Sequence, residues 1–350
     1  MSKIGGVVTT SNGELESAGG RGQQDLEAVR AADDDQFGAL IEPHRRELRV
    51  HCYRMVGSYD HAEDLVQETY LRAWRYRATF QGRSTLRAWL YKIATNACLE
   101  RLRRRPPPPA PVPATDGRLP PPSALPWVQP FPDALLDLPA PAEEEPDAVV
   151  LARETIALAY LVAIQLLPPQ QRAVLVLREV LRFSAKETAD LLDVTIAAAN
   201  SALQRARATL SGYQTSRNSK APTSPATRDE QQLLSTYMRA HEERDPAAII
   251  AVLRADARLS ISPTGLSWDG REEITPSFLE GMGALGEWRC LPTRANGQPA
   301  VANYLRAWGE ADYRAFTLVV LGIADGRLTE MATFAEPALF AAFGLPATLS

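Results

Sequence analysis

The stretch Ala62–Arg105, AEDLVQETYLRAWRYRATFQGRSTLRAWLYKIATNACLERLRRR, decides the fold of the chain around it. Ala62, Leu65, Val66, Thr69, Tyr70, Ala73 and Trp74 recur at helical spacing and predict one buried helix face. Asp64, Gln67, Glu68, Arg72 and Arg75 fall on the opposite face, a polar stripe long enough to meet a partner. Gly82 breaks this helix, and Ser84 is placed to cap the next one, whose inner face carries Leu86, Leu90, Ile93 and Ala97. Outside lie Arg83, Arg87, Trp89, Lys92, Asn96 and Arg101, then Arg103, Arg104 and Arg105. Basic side chains interleaved with aromatics suit a nucleic-acid backbone with unstacked bases over ring faces. By composition alone, a solvated basic face with Trp89 in the core fits equally well.

The order of the pieces separates the two readings. Asp64-x-x-Gln67-Glu68 is followed by Phe80-x-Gly82-x-Ser84 and then by Trp89-Leu90-Tyr91-Lys92-Ile93-Ala94-x-Asn96. This order resembles domain 2 of the extracytoplasmic-function class of bacterial sigma factors. The resemblance implies that Asp64, Gln67 and Glu68 dock on the clamp helices of the RNA polymerase β′ subunit. It also implies that Phe80, Arg87, Trp89, Lys92 and Asn96 open and read the −10 promoter element.

At 350 residues the chain has room for two or three domains, each with its own core. A net charge of −4 argues against a general polyanion binder. The sign is uneven, however: residues 36–105 hold fourteen Lys and Arg against seven Asp and Glu, and local asymmetry is what predicts a nucleic-acid face. The three cysteines, Cys52, Cys98 and Cys290, form no CxxC pair and no cluster with histidine, so free thiols in a reducing cytoplasm and no metal are expected. Apolar runs are too short for a membrane span, and no signal-peptide core precedes them.

Residues 1–32 lack a sustained apolar period and read as a disordered tail. Order is expected from Asp33, with a domain over 33–105. Fifteen of the 27 prolines then lie between Pro106 and Pro146, which predicts an extended linker over 106–146. Trp127, Val128, Phe131, Leu135 and Leu136 sit in its middle, and apolar anchors in a spacer ask for something to dock on. Trp127-x-x-Pro130 resembles the linker motif of the sigma-factor subgroup with a fused C-terminal domain, which implies that Trp127 and Phe131 touch that domain.

The domain at 147–213 is expected to be helical. Ser184 and Glu187 form a capping box for a short helix, Asp193-Val194 makes a turn, and Thr195 caps a second helix through Leu210: a helix-turn-helix. FSAKETADLLDVTIAAANSALQRARATL resembles sigma domain 4, which reads the −35 element in the major groove. Asn200, Ser201, Gln204, Arg205 and Arg207 fall at its DNA-contacting positions. Asn200 and Ala202 stand where the family usually has basic residues, which lowers the number of phosphates neutralised.

Residues 214–228 form a second linker, and 229–350 change style. Helices come first, followed by strands around Ala257–Ile261, 287–294, 301–308, 313–323 and 327–334, with Asp325-Gly326 as a hairpin turn. This α+β cone resembles the NTF2-like/SnoaL-like family, and the apolar run 316–323 suggests a sheet curved around a pocket. Acid/base candidates there are His241, Asp256, Asp269, Arg271 and Arg289 with Trp268 as a wall, but they share no diagnostic spacing. The expected fold is therefore multidomain: two all-α sigma domains followed by an NTF2-like cone. The resemblance implies a cytoplasmic transcription initiation factor that is not an enzyme. It would bind core polymerase (β′ clamp helices and β subunit) and promoter DNA, need no cofactor, membrane or separate anti-sigma factor, and leave room for a small ligand in the C-terminal pocket. A ligand-responsive helix-turn-helix regulator, or an NTF2-like enzyme fused to a DNA-binding module, are the readings from other classes.

Overall fold

The computed structural model describes residues 12–105, 118–136, 156–213 and 228–350. Expectations for the linker at 106–117 and 137–146, the start of the second helical domain at 147–155 and the second linker at 214–227 lie outside these residues.

Five helices build the first domain: α1 (Asn12–Ala31), α2 (Asp34–Ile41), α3 (Arg45–Val56), α4 (Tyr59–Tyr76) and α5 (Leu86–Arg103). The starts of α2, α4 and α5 are set by side chains that accept otherwise unpaired backbone N–H groups. Asp33 forms a capping box with Gln36, and Ser58 caps α4 at the His61 amide. Phe37, Leu48, Tyr53, Met55, Val66, Leu90 and Tyr91 fill the bundle.

Three expectations are corrected. The disordered tail does not extend to residue 32, because 12–31 are helical and bury Leu26 and Val29. A stripe of only Gly22, Leu26 and Val29 is too narrow to register as a sustained apolar period. Helix α5 is capped by Thr85, whose hydroxyl accepts from Ala88 N–H, and not by Ser84. Trp74 is 47% exposed rather than buried. At about 100° per residue it lies about 120° around the helix from Ala62, and the Arg77 guanidinium sits 5.0 Å over its ring.

The second helical domain contains α6 (Leu158–Gln165), α7 (Pro169–Leu175) continued by a π turn through Val180, α8 (Ala185–Leu192) and α9 (Ile196–Ser211). The Ser184–Glu187 capping box and the Thr195 cap both form, and Asp193 takes a left-handed conformation at φ 52° to make the tight turn. Arg172 fastens this domain to the first. It is 3% exposed and donates to Met55 O at the end of α3, to Gln165 Oε1 (2.6 Å) and O (2.7 Å), and to Leu167 O (3.1 Å).

The C-terminal domain places α10 (Arg228–Glu242), α11 (Pro246–Val252) and α12 (Arg271–Ala284) on a sheet of β1 (Leu253–Ser262), β2 (Leu266–Asp269), β3 (Gly286–Ala295), β4 (Gln298–Ala307), β5 (Tyr313–Ala324), β6 (Arg327–Phe334) and β7 (Thr348–Leu349), with α13 (Leu339–Ala342) before the last strand. The strand order is β2-β1-β6-β5-β4-β3, with β7 on β5; β1 and β6 run parallel and the other pairs antiparallel. This is an α+β cone of NTF2-like form. Val301, Val319 and Leu321 face its helices, while Ala300, Ala302, Leu318 and Val320 face the core shared with the other domains. The β5 run is continuously apolar because both faces of the sheet are covered.

All three parts meet at the β3–β4 turn, Asn296-Gly297, where both residues have positive φ (56° and 75°). Asn296 is fully buried: its Nδ2 donates to Tyr53 Oη (2.9 Å) and Ile156 O (2.8 Å), and its Oδ1 accepts from Phe131 N–H (2.9 Å). Its own N–H donates to Phe131 O, while Tyr53 Oη donates to Gln129 O. Removing the amide leaves several buried groups unpaired, each at about 1–3 kcal/mol. Asn296→Gly keeps the turn geometry, so its destabilisation should report the side chain alone: a loss of at least about 2 kcal/mol in urea denaturation. A change under about 0.5 kcal/mol would remove the junction from its central role.

Candidate functional site

The polar face of α4 is open. Asp64 and Gln67 are exposed, Glu68 is half-buried and accepts from Arg72 (2.7 Å), and Arg72 also reaches Glu100 on α5 (2.8 Å). Leu71, 63% exposed, and Trp74 extend the Asp64–Gln67 stripe at i+7 and i+10. The exposed surface is therefore a carboxylate and an amide continued by apolar side chains, which suits a protein partner better than polar residues alone. The sequence reading missed Leu71 and misplaced Trp74.

The residues expected at the −10 element are less accessible. Phe80 is buried, with its ring 5.3 Å from that of Trp89. The Arg87 guanidinium pairs with Glu47 (2.8 Å), lies 4.9 Å over Tyr91 and reaches the Phe183 ring of the second domain at 5.9 Å. Lys92 Nζ donates to Asp190 O (2.9 Å) and to Asp193 Oδ1 (2.7 Å), both on the helix-turn-helix. Asn96 remains half-exposed. The basic face of α5 is thus covered by the helix-turn-helix unit at its centre.

On α9, Asn200, Ser201, Gln204, Arg205 and Arg207 are all exposed, while Ala199, Ala202, Leu203 and Ala206 face inward. Arg205 donates to Ser201 Oγ (2.6 Å), which leaves both at one surface; Arg207 turns aside to pair with Glu179 (2.5 Å). Four of the five share one outward face, and Arg207 lies at its edge.

The linker residues divide. Phe131 is fully buried against Tyr53 (4.7 Å between ring centres) and Tyr59 (5.7 Å) and exchanges backbone and side-chain bonds with Asn296. Trp127 instead lies under the Arg105 guanidinium, 4.7 Å away, on the first domain. Gln129, which was not singled out from sequence, joins Asp60 (3.0 Å) on α4 to Glu336 (2.8 Å) near the C-terminus. Asn296 was missed as well, although Asn-Gly is a strong hairpin signal.

Inside the cone the acid/base candidates are not brought together. His241 is packed among Tyr237, Phe278 and Trp288, Asp256 pairs with Arg254, and Asp269 pairs with Arg258 and with Arg118 of the linker. Arg289 stacks on Tyr313 at 4.9 Å, Arg271 is exposed and Trp268 half-buried. Cys290 Sγ, Asn303 and Thr317 form a separate hydrogen-bonded chain. Among the described residues no group of His, Cys, Asp and Glu has the makings of a metal site, and no helix is long and apolar enough to cross a membrane.

Known proteins place this geometry. The family profile for Sigma-70 region 2 matches residues 40–106, and that for Sigma-70, region 4 matches residues 157–210. The ECF RNA polymerase sigma factor SigG of Mycobacterium tuberculosis is 42% identical over 330 residues, covering 89% of this chain and 85% of SigG. SigW of Bacillus subtilis, another ECF RNA polymerase sigma factor, is 33% identical over 82 residues, 23% of this chain and 44% of SigW. The crystal structure of the extracytoplasmic function sigma factor SigJ of M. tuberculosis has the same fold, with a TM-score of 0.53 at 20% identity over 90% of this chain and the whole of SigJ. The chain belongs to the extracytoplasmic-function sigma factors of RNA polymerase, and its C-terminal cone extends the two sigma domains.

Burial of His241 pushes its pKa down to about 4, from 6.5, against the opposing pull of the Tyr237 carbonyl. The unfolded chain therefore takes up the proton first as pH falls, so this contribution is complete above pH 6.5 and declines towards pH 4. It amounts to about 3 kcal/mol over the window at 1.36 kcal/mol per pKa unit. His241→Gln should flatten the drop in melting temperature of the full chain between pH 7 and pH 5, and a drop as steep as the parent's would refute the assignment.

Proposed function

We infer that this sigma factor is held closed by its own C-terminal domain, and that the closed form is the silent one. The observation that carries this reading is the pair of bonds from Lys92 Nζ to Asp193 and Asp190 O. Elements at −10 and −35 are centred about 25 base pairs apart, roughly 85 Å of B-DNA at 3.4 Å per step. A −10-reading helix tied by a 2.7 Å ion pair to the turn of the −35-reading helix-turn-helix cannot serve its element while that unit serves the other. The domains must separate before a promoter is engaged, and the Asn296 junction favours the closed arrangement.

In the open form the roles divide by surface. Asp64, Gln67 and Glu68, continued by Leu71 and Trp74, take the polymerase β′ clamp helices. Phe80, Arg87, Trp89, Lys92 and Asn96 read and help to open the −10 element, and Asn200, Ser201, Gln204, Arg205 and Arg207 take the −35 element. The protein works in the cytoplasm. The cone acts as a regulator in cis through Phe131 and its neighbours, without a reaction of its own, and no separate anti-sigma factor is required. A small ligand that favours one of the two states would shift the balance between them.

Run-off transcription with core polymerase tests the sign. A chain ending at Arg228 should give several-fold more promoter-dependent transcript than the full chain. An equal or smaller yield would make the C-terminal domain neutral or activating. Asp64→Arg combined with Glu68→Arg should abolish core binding with an unchanged far-UV circular dichroism spectrum; retained affinity would move the polymerase contact off α4.

A further inference from the structure

The unexpected helix α1 lies on the loop that leads into α5. Gly22 meets Gly82 backbone to backbone: a Cβ on Gly22 would strike Gly82 O and come within 2.9 Å of Ser84 O, and one on Gly82 would come within 2.8 Å of Gly22 O. Leu26 lies against Gly82, and Val29 is buried in the same core as Phe80 and Leu86. Asp25 Oδ2 accepts the Leu86 N–H at 2.6 Å, so a carboxylate of α1 sits at the N-terminus of α5. One turn beyond α1, Asp34 pairs with Arg77 at 2.8 Å, on the near side of the same loop.

The charges match across this contact. Asp25 faces the first amide of α5 and Asp34 pairs with Arg77, and the chain from the last turn of α4 to the first turn of α5 carries Arg75, Arg77, Arg83 and Arg87 with no Asp or Glu. The first amides of a helix bind an anion by their unpaired N–H groups and the helix dipole. A carboxylate there occupies the kind of position that a strand phosphate would take. Phe80, whose ring would have to leave the core to stack on a base, is buried beneath the same contact.

We propose that α1 is an intramolecular lid on the promoter strand: its Asp25 carboxylate and Gly22 backbone cover the loop 80–86, and single-stranded DNA must displace it to reach Phe80 and the start of α5. The proposal rests on the reading of α5 as the −10-recognising helix. It separates two barriers. Domain 4 covers the centre of α5 through Lys92, and α1 covers its beginning, so release of domain 4 on polymerase leaves the lid still to be moved.

The test uses full-length protein bound to core polymerase and a fluorescently labelled single-stranded oligonucleotide enriched from a randomised pool by that complex. Asp25→Ala removes the acceptor at the surface, and Gly22→Leu prevents the backbone approach. Each should tighten oligonucleotide binding about tenfold, the gain when a lid shut in nine molecules of ten is lost. The Leu86 amide should also exchange faster in Asp25→Ala, with core affinity unchanged. Asn96→Ala is the reference, and weaker binding is expected. If Asn96→Ala weakens binding while Asp25→Ala and Gly22→Leu match the parent, the lid is refuted. If Asn96→Ala has no effect, the assignment of α5 fails and the lid falls with it.

Discussion

One buried carboxamide connects the parts of this molecule. Asn296 stands at the tip of a two-residue hairpin, where the sheet projects a short polar side chain without exposing strand edges. It binds a tyrosine hydroxyl from the first domain, a linker amide and a carbonyl from the start of the second helical domain. Apolar contacts alone would let these surfaces slide over one another. Directional bonds from a rigid type I′-like turn fix one register, because any other docking would strand the same polar groups without water.

The contact between the two sigma domains follows the same physics with charge added. Arg172 crosses to the carbonyl end of α3 and to the carbonyl end of α6, where the partial negative charge of each helix is concentrated. Burial lowers its pKa to about 9, which leaves it protonated at neutral pH. A buried cation with several carbonyl partners is costly to separate from them, so this contact belongs to the closed chain as a whole. Lys92 differs: it is partly exposed and holds the second domain by one surface ion pair to Asp193 and one hydrogen bond to Asp190 O. Exposed pairs contribute little, roughly 0–1 kcal/mol, so the covering of α5 is the weakest part of the closed arrangement.

Much of this was legible in the sequence, and the failures share a cause. The caps at Ser184 and Thr195 and the Asp325-Gly326 turn are local, encoded within four residues, and they formed as expected. The inner face of α4 was readable up to Trp74, where a helix drifts off its own stripe. Helix α1 was not readable, because two apolar residues and a glycine acquire meaning only against the Phe80–Leu86 loop some sixty residues away. Trp127 illustrates the same limit. Its composition asked for a partner, but whether that partner was the cone or Arg105 is a matter of tertiary placement. Asn296 differs, since its Asn-Gly signal lay in plain view, yet only as a turn; nothing local marks a turn residue as a junction.

A closed state of this kind constrains how the factor can be switched. A signal acting on the cone needs no contact with DNA or polymerase; it must only bind the closed and open forms with different affinity. Moving the population from one closed in a hundred to ninety-nine takes about 5.5 kcal/mol of that difference. A single surface ion pair cannot supply this, whereas the group of bonds around Asn296, Gln129 and Phe131 is of the right size. Core polymerase bound at the proposed α4 face, which is already exposed in the closed chain, does not by itself shift the balance; the shift comes from contacts that only the open form offers. Binding there can therefore precede opening, with the separation of the two sigma domains as the later step. The junction at Asn296, rather than the ion pair over α5, is then where regulation has to act.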